Sequence, residues 1–164
     1  MRKLTIRNIG PLKMADIELG RINVIIGPQS SGKSCVLKIA CYCTWVEKKI
    51  ELAQSAEEFL KNNFFINELT RFHKLDGYFR KDSYIAYESD FMRFSYNAED
   101  GKFLFDWKEG RWEYRRSKVA YIPSERNMVA AIPNWFDVEL NKDNIQNFMA
   151  DWDRARKTCT QHTD

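Results

Sequence analysis

Eight residues beginning at Gly27 combine glycines, a lysine and a hydroxyl at a fixed spacing. They read Gly27-Pro28-Gln29-Ser30-Ser31-Gly32-Lys33-Ser34 and fit the pattern G-x-x-x-x-G-K-[ST] at every fixed position. Backbone N–H groups of such a loop converge on phosphate oxygens, aided by the positive end of the following helix. Gly27 and Gly32 allow a close backbone approach. Lys33 supplies a positive charge for the β- and γ-phosphates, and the Ser34 hydroxyl is the expected Mg²⁺ ligand. The pattern predicts a nucleoside triphosphate site.

A strand before this loop and a helix after it are needed to position these groups. The apolar run 22–26 predicts a strand that stops at Gly27, and the apolar spacing of 35–40 is typical of a helix that starts near Lys33. The predicted nucleotide contacts in this segment are Gly27, Pro28, Gln29, Ser30, Ser31, Gly32, Lys33, Ser34 and Cys35.

The flanking segments predict a hairpin and two helices. Residues 4–9 and 14–19 alternate apolar and polar side chains around a turn, as paired strands do. One helix is expected to about Gln54 and a second from about Ser55 to Leu75, because no proline or glycine intervenes. Ser55 and Glu58 have the spacing of a capping box. We expect the aromatic residues of the second helix to pack in the core: Phe59, Phe64, Phe65 and Phe72.

Strand patterns dominate after Asp76-Gly77. The stretches 83–88, 91–96, 102–107 and 111–115 predict a β-meander, and 118–123 predicts an apolar strand that stops at a proline. A helix is plausible after Pro133, and a last one is expected from Asp143 to Arg156. Four apolar residues would share one face of that last helix: Ile145, Phe148, Met149 and Trp152.

Composition favours one intracellular domain. The 164 residues are 44% hydrophobic, and their formal net charge of +3 does not by itself indicate a nucleic-acid partner. The four cysteines and two histidines match no zinc motif, which favours a reduced, cytoplasmic protein. The opening residues do not form a signal segment, and no apolar run approaches the ~18 residues of a membrane span.

Four segments together resemble one protein family: 4–10, 17–19, 22–34 and Tyr121-Ile122-Pro123-Ser124-Glu125-Arg126. They resemble the amino terminus of RecF/SMC-type ATP-binding-cassette ATPases, which are often labelled AAA-family ATPases. The resemblance is strong over 1–50 and moderate over 118–128. It implies an α/β P-loop NTPase fold, an incomplete first lobe with a mixed sheet and an antiparallel β-meander. The nucleotide-binding lobe would span 1–156, with parts 1–76, 77–117 and 118–156, followed by a disordered tail, 157–164.

The resemblance also implies that catalytic parts lie elsewhere. Past residue 128 there is no apolar strand ending in Asp-Glu and no Ser-Gly-Gly signature. We therefore expect binding of ATP, or another nucleotide, with Mg²⁺ but little hydrolysis by this chain alone, and we assign no catalytic residue. Glu125 is a candidate carboxylate near the Mg²⁺, and Arg126 is a candidate partner for phosphate or for another subunit; the alternative is a solvated polar turn at 124–127.

Such ATPases associate when nucleotide binds, so the expected partner is a second ATPase lobe or another copy, in DNA repair or defence. Two alternatives remain open. One is a nucleic-acid-binding module whose working surface is Arg111, Trp112, Tyr114, Arg115, Arg116 and Lys118. That cluster is also compatible with a half-buried sheet that has a solvated basic face. The other is a small P-loop kinase, which the long lead-in and the meander argue against.

Overall fold

The structure is a computed structural model that describes residues 2–109, 119–123 and 144–160. The chain divides into two compact units, Met1–Val119 and Ala120–Asp164. The candidate site and nearly all of the described secondary structure belong to the first unit. The predicted domain boundaries remain a prediction.

The first unit is built on one antiparallel sheet of five strands. Its strands are β1 (Arg2–Ile9), β2 (Leu12–Leu19), β3 (Phe79–Glu88), β4 (Met92–Asn97) and β5 (Lys102–Trp107). The order across the sheet is β2-β1-β3-β4-β5. In the register, Leu4 of β1 lies opposite Ile17 of β2 on one side and Tyr87 of β3 on the other. The predicted hairpin and the first three meander strands are confirmed, and they join into a single sheet.

Three helices pack against the sheet: α1 (Lys33–Ala53), α2 (Glu57–Leu60) and α3 (Phe64–His73). The inward side chains of β1, such as Leu4 and Ile6, share one buried cluster with Ile39 of α1 and Phe65 of α3. Each such side chain stabilises the fold by roughly 1.5–3 kcal/mol on burial. The amphipathic pattern of α1 therefore fixes which side of the helix faces the sheet.

The predicted second helix is broken into two. Asn62 and Asn63 have φ angles of 52° and 53°, in the left-handed region that ends a helix and that asparagine tolerates. The predicted capping box is wrong, because α2 begins after Ala56 with no side-chain cap. Ser55 instead accepts a 3.2 Å hydrogen bond from the N–H of Glu57. The packing prediction is confirmed most clearly at Phe59 and Phe65, which are buried; Phe64 and Phe72 are half-buried.

The strand predicted at 22–26 is not formed. Ile22, Val24 and Ile26 are 83%, 81% and 88% exposed, and only Ile25 packs against the core. A strand needs a neighbour for its backbone hydrogen bonds, and among the described residues none pairs with this segment. For the same reason the predicted mixed sheet is not observed, since every strand pairing in the described ranges is antiparallel.

The described part of the second unit contains α4 (Asn144–Thr160). Met149 is buried, as the sequence predicted, but Trp152 is 49% exposed and Asp153 is buried in its place. Asp153 keeps its charge paired, because Lys157 lies 2.7 Å from its carboxylate. The helix also continues past Arg156, its predicted end, so residues 157–160 are helical and not part of a disordered tail. The predicted meander strand 111–115 and the helix after Pro133 lie outside the described residues, and the strand predicted at 118–123 is not formed over its described residues, 119–123.

Candidate nucleotide-binding site

The phosphate loop, residues 27–34, leads directly into α1. Gly32 is the residue before the helix, has a φ of 94° and provides no side-chain cap. The first N–H groups of a helix have no intrahelical acceptor and point outward. A Cβ added at Gly32 would lie 2.6 Å from Cδ2 of Leu12 in β2, so the Leu12 side chain would have to shift, and the φ of 94° also disfavours any residue other than glycine. The loop thus presents backbone donors at the positive end of α1.

Lys33 lies across this loop. Its ammonium donates a 2.8 Å hydrogen bond to the carbonyl of Gly27 and another to the carbonyl of Pro28. The hydroxyl of Ser31 is 3.5 Å from the same nitrogen. The loop carbonyls therefore hold the positive charge beside the start of α1, where an anion would also meet the helix N–H groups.

A cavity of about 480 Å³ adjoins the loop, within the range of about 300–1,000 Å³ that is typical of small-molecule sites. Its lining residues come from the β1–β2 turn, the phosphate loop, α1 and the segment after α3: Pro11, Ser30, Ser31, Gly32, Lys33, Ser34, Cys35, Lys38, Leu75 and Tyr78. Of the predicted nucleotide contacts, Ser30 to Cys35 line this cavity, and their contact with a nucleotide stays a prediction. Gly27, Pro28 and Gln29 belong to the loop but do not line it.

Lys38 gives the cavity a second positive charge. Its ammonium donates a 2.8 Å hydrogen bond to the carbonyl of His73, at the end of α3. Burial and the charge of Lys38 lower the pKa of His73 to about 4, so this histidine is neutral at pH 7. Sequence reasoning missed Lys38, although it lies four residues after Ser34 and hence on the same side of α1.

Leu75 and Tyr78 were also missed, and no periodicity points to them. They belong to the turn that follows α3, where the N–H of Tyr78 donates a 3.1 Å hydrogen bond to the carbonyl of Leu75. The N–H of Gly10 donates a 2.8 Å hydrogen bond to the carbonyl of Tyr78. Long-range contacts of this kind place residues from distant parts of the sequence on one cavity wall.

The thiol of Cys35 is not a nucleophile in this cavity. Burial raises its pKa to about 11, and Cys41 has a pKa raised to about 11 for the same reason. A thiol reacts as thiolate, which is scarce at neutral pH when the pKa is this high. Cys35 therefore contributes packing and its backbone to the site.

Comparison of the sequence with known protein families assigns the chain to one of them. The family model described as AAA domain matches residues 3–155. This chain belongs to the AAA domain family. The match supports an AAA-type ATPase domain with a nucleotide-binding function, and the sheet with its covering helices fits an α/β fold. No curated protein and no solved structure gave a significant match. In the described part of the chain, no helix is long and apolar enough to cross a membrane.

The side chain near the loop that could bind Mg²⁺ is that of Ser34. Within the described ranges, no group of three or more His, Cys, Asp or Glu side chains is arranged to hold a metal ion. Ser34 is exposed, and its hydroxyl has no hydrogen-bond partner among the described residues. Mg²⁺ commonly keeps several waters and binds through substrate phosphates, so one protein hydroxyl fits it. Ser124, Glu125 and Arg126 lie outside the described residues.

The outer face of the sheet carries balanced charges. Arg93 pairs with Asp106 at 3.0 Å and Lys108 pairs with Glu88 at 2.5 Å. Each of these two cations has an acidic partner, and nucleic-acid binding by the meander stays a prediction. The basic and aromatic cluster 111–118 lies outside the described residues.

Proposed function

We propose that this AAA domain binds ATP, or another nucleoside triphosphate, together with Mg²⁺ through the phosphate loop. The domain would act as the first lobe of a RecF/SMC-type ATPase. The observation that carries the proposal is the position of Lys33, whose ammonium lies over the loop at the start of α1 and lines the adjoining cavity. Family membership and the fit of the loop to the phosphate-binding pattern support it.

Each residue of the loop has a role in this proposal. On binding, the Lys33 ammonium exchanges the carbonyls of Gly27 and Pro28 for phosphate oxygens, which are stronger acceptors because they are charged. The N–H groups at the start of α1 donate to the same phosphates. Ser34 contributes its hydroxyl to Mg²⁺, which neutralises phosphate charge when bound.

Hydrolysis needs a group that orients water, and the described cavity lining offers none. It contains no Asp, Glu or His side chain. We therefore expect little hydrolysis by this chain alone, with the remaining groups supplied by a second lobe or another copy. Glu125 and Arg126 remain proposed contacts of the nucleotide, and a role in DNA repair or defence is part of the same proposal.

Calorimetry with Mg·ATP tests the binding. Lys33→Ala removes a charged donor, and about 10- to 100-fold weaker binding is expected from the usual value of such a hydrogen bond. Lys49→Ala is the matched control, because Lys49 lies on the same helix but pairs with Glu58 at 3.4 Å, away from the cavity. The proposal is wrong if the folded wild-type protein releases no binding heat with millimolar Mg·ATP or Mg·GTP.

A turnover assay tests the expectation that the chain alone hydrolyses little nucleotide. The expected rate for the chain alone is far below the ~1 s⁻¹ at the low end for kinases. Turnover at or above that rate which disappears in Lys33→Ala would show that the chain already contains its catalytic groups.

A further inference from the structure

Tyr78 is the one aromatic residue among the described residues that line the cavity. It is 38% exposed, whereas its neighbour Leu75 is 1% exposed. The turn after α3 therefore gives this cavity, which the phosphate loop also lines, both an accessible aromatic ring and a buried apolar side chain.

The ring is held in place by the backbone of two turns. The carbonyl of Tyr78 accepts from the N–H of Gly10, and its own N–H donates to Leu75, at 2.8 Å and 3.1 Å. Gly10 has no side chain, and a Cβ added there would lie 2.3 Å from Cδ1 of the Tyr78 ring. The ring thus rests directly on the backbone of the β1–β2 turn. A ring fixed in this way loses little conformational freedom when a ligand packs on it.

The cavity lining divides into two kinds of chemistry. Lys33, Lys38 and the start of α1 suit phosphate, whereas Pro11, Leu75 and the Tyr78 ring suit a flat apolar group. A nucleoside triphosphate has both parts in one molecule. A base stacks well on an aromatic side chain, and such stacking tolerates any base because each has a π-face.

We propose that Tyr78 is the base-stacking residue of this site and holds the base of the nucleotide whose phosphates lie at Lys33. The proposal rests on the proposed function and deepens it. Its consequence is a site that prefers a nucleotide over bare triphosphate but discriminates weakly between ATP and GTP, since a ring face does not read the hydrogen-bonding edge of a base.

The test compares Mg·ATP with Mg·tripolyphosphate, which has the phosphates without the base. Binding to wild type, Tyr78→Ala and Tyr78→Phe is measured by calorimetry. Tyr78→Ala should bind Mg·ATP about 5- to 100-fold more weakly, the usual range for loss of one base–aromatic stack. Its affinity for Mg·tripolyphosphate should stay unchanged, and Tyr78→Phe should behave as wild type. Tyr84→Ala is the matched control, because Tyr84 lines a separate groove on the sheet.

Tyr78→Leu keeps apolar bulk over Gly10 without a π-face, and it should show the same selective loss if Tyr78→Ala does not fold. The proposal is overturned if Tyr78→Ala or Tyr78→Leu binds Mg·ATP with wild-type affinity. It is also overturned if the variant loses the same affinity for Mg·ATP and for Mg·tripolyphosphate. In those cases Lys33→Ala still tests the proposed function separately. If wild type binds neither ligand, both the proposed function and the stacking role are wrong.

Discussion

The phenolic hydroxyl of Tyr87 in β3 donates a 2.7 Å hydrogen bond to Oε2 of Glu47 in α1. Glu47 is 2% exposed, and Nε of Arg2 in β1 also donates to Oε2, at 3.1 Å. A buried carboxylate is stable only when its charge is paired and hydrogen-bonded. These contacts tie the middle of α1 to the sheet, and the start of the same helix forms the candidate site.

Tyr87→Phe should therefore destabilise the fold. It removes one donor from a buried charge, which costs about 1.5–3 kcal/mol for a hydrogen bond to a charged group. Urea unfolding at pH 7 measures the change. Tyr84→Phe serves as control, since Tyr84 lies three residues earlier in the same strand and is only half-buried. Equal midpoints for Tyr87→Phe and Tyr84→Phe would contradict the prediction.

Gly10→Ala should displace the Tyr78 ring. The new Cβ would lie 2.3 Å from Cδ1 of Tyr78, and the φ of 51° adds strain for a residue with a side chain. We expect Mg·ATP affinity to fall as it does in Tyr78→Ala, together with a lower unfolding midpoint. Gly77→Ala is matched in backbone strain, with a φ of 74°, but its Cβ meets open space. If Gly10→Ala and Gly77→Ala bind Mg·ATP with equal affinity, Gly10→Ala does not displace the Tyr78 ring from the nucleotide.

The sequence predicted the helix after Gly32 and the first hairpin well, because glycines and apolar spacing act locally. The start of α1 at Lys33 and the β1–β2 hairpin both follow from such short-range patterns. The break at Asn62 and Asn63 was not predictable in this way. Asparagine tolerates several conformations, and here the rings of Phe59 and Phe64 pack 5.5 Å apart across the break.

Two features of the site depend on distant parts of the chain. Tyr78 reaches the cavity only because α3 ends near the β1–β2 turn, which no local pattern encodes. The segment 22–26 has the composition of a strand, but whether it forms one depends on a pairing partner. Motif residues were thus predictable, whereas the residues beside them required the fold.

Ser34→Ala should reduce the Mg²⁺ dependence of nucleotide binding. Wild type should bind ATP more tightly with Mg²⁺ than with EDTA, because the Ser34 hydroxyl is the proposed protein ligand. The difference should be smaller in the variant, where Mg²⁺ is held only by phosphates and waters. Stability should not change, since the exposed hydroxyl has no partner among the described residues. Ser31→Ala removes another hydroxyl of the same cavity and should keep the Mg²⁺ effect. A Mg²⁺ effect in Ser34→Ala that is as large as in wild type would exclude Ser34 as the ligand.

Acidification should destabilise the fold through His73. Burial and Lys38 lower its pKa to about 4 from 6.5, so between these values the unfolded chain binds a proton that the folded protein does not. The contribution of His73 to the free energy of unfolding is therefore complete well above pH 6.5 and is lost as the pH drops toward 4. The expected loss is about 2 kcal/mol between pH 7 and pH 5. Urea unfolding at both pH values should show a smaller loss in His73→Gln or His73→Phe than in wild type. His162→Gln, which removes the other histidine of the chain, should keep the wild-type loss. If all variants lose the same free energy of unfolding, the pKa of His73 is not lowered in the folded protein, and the prediction is wrong.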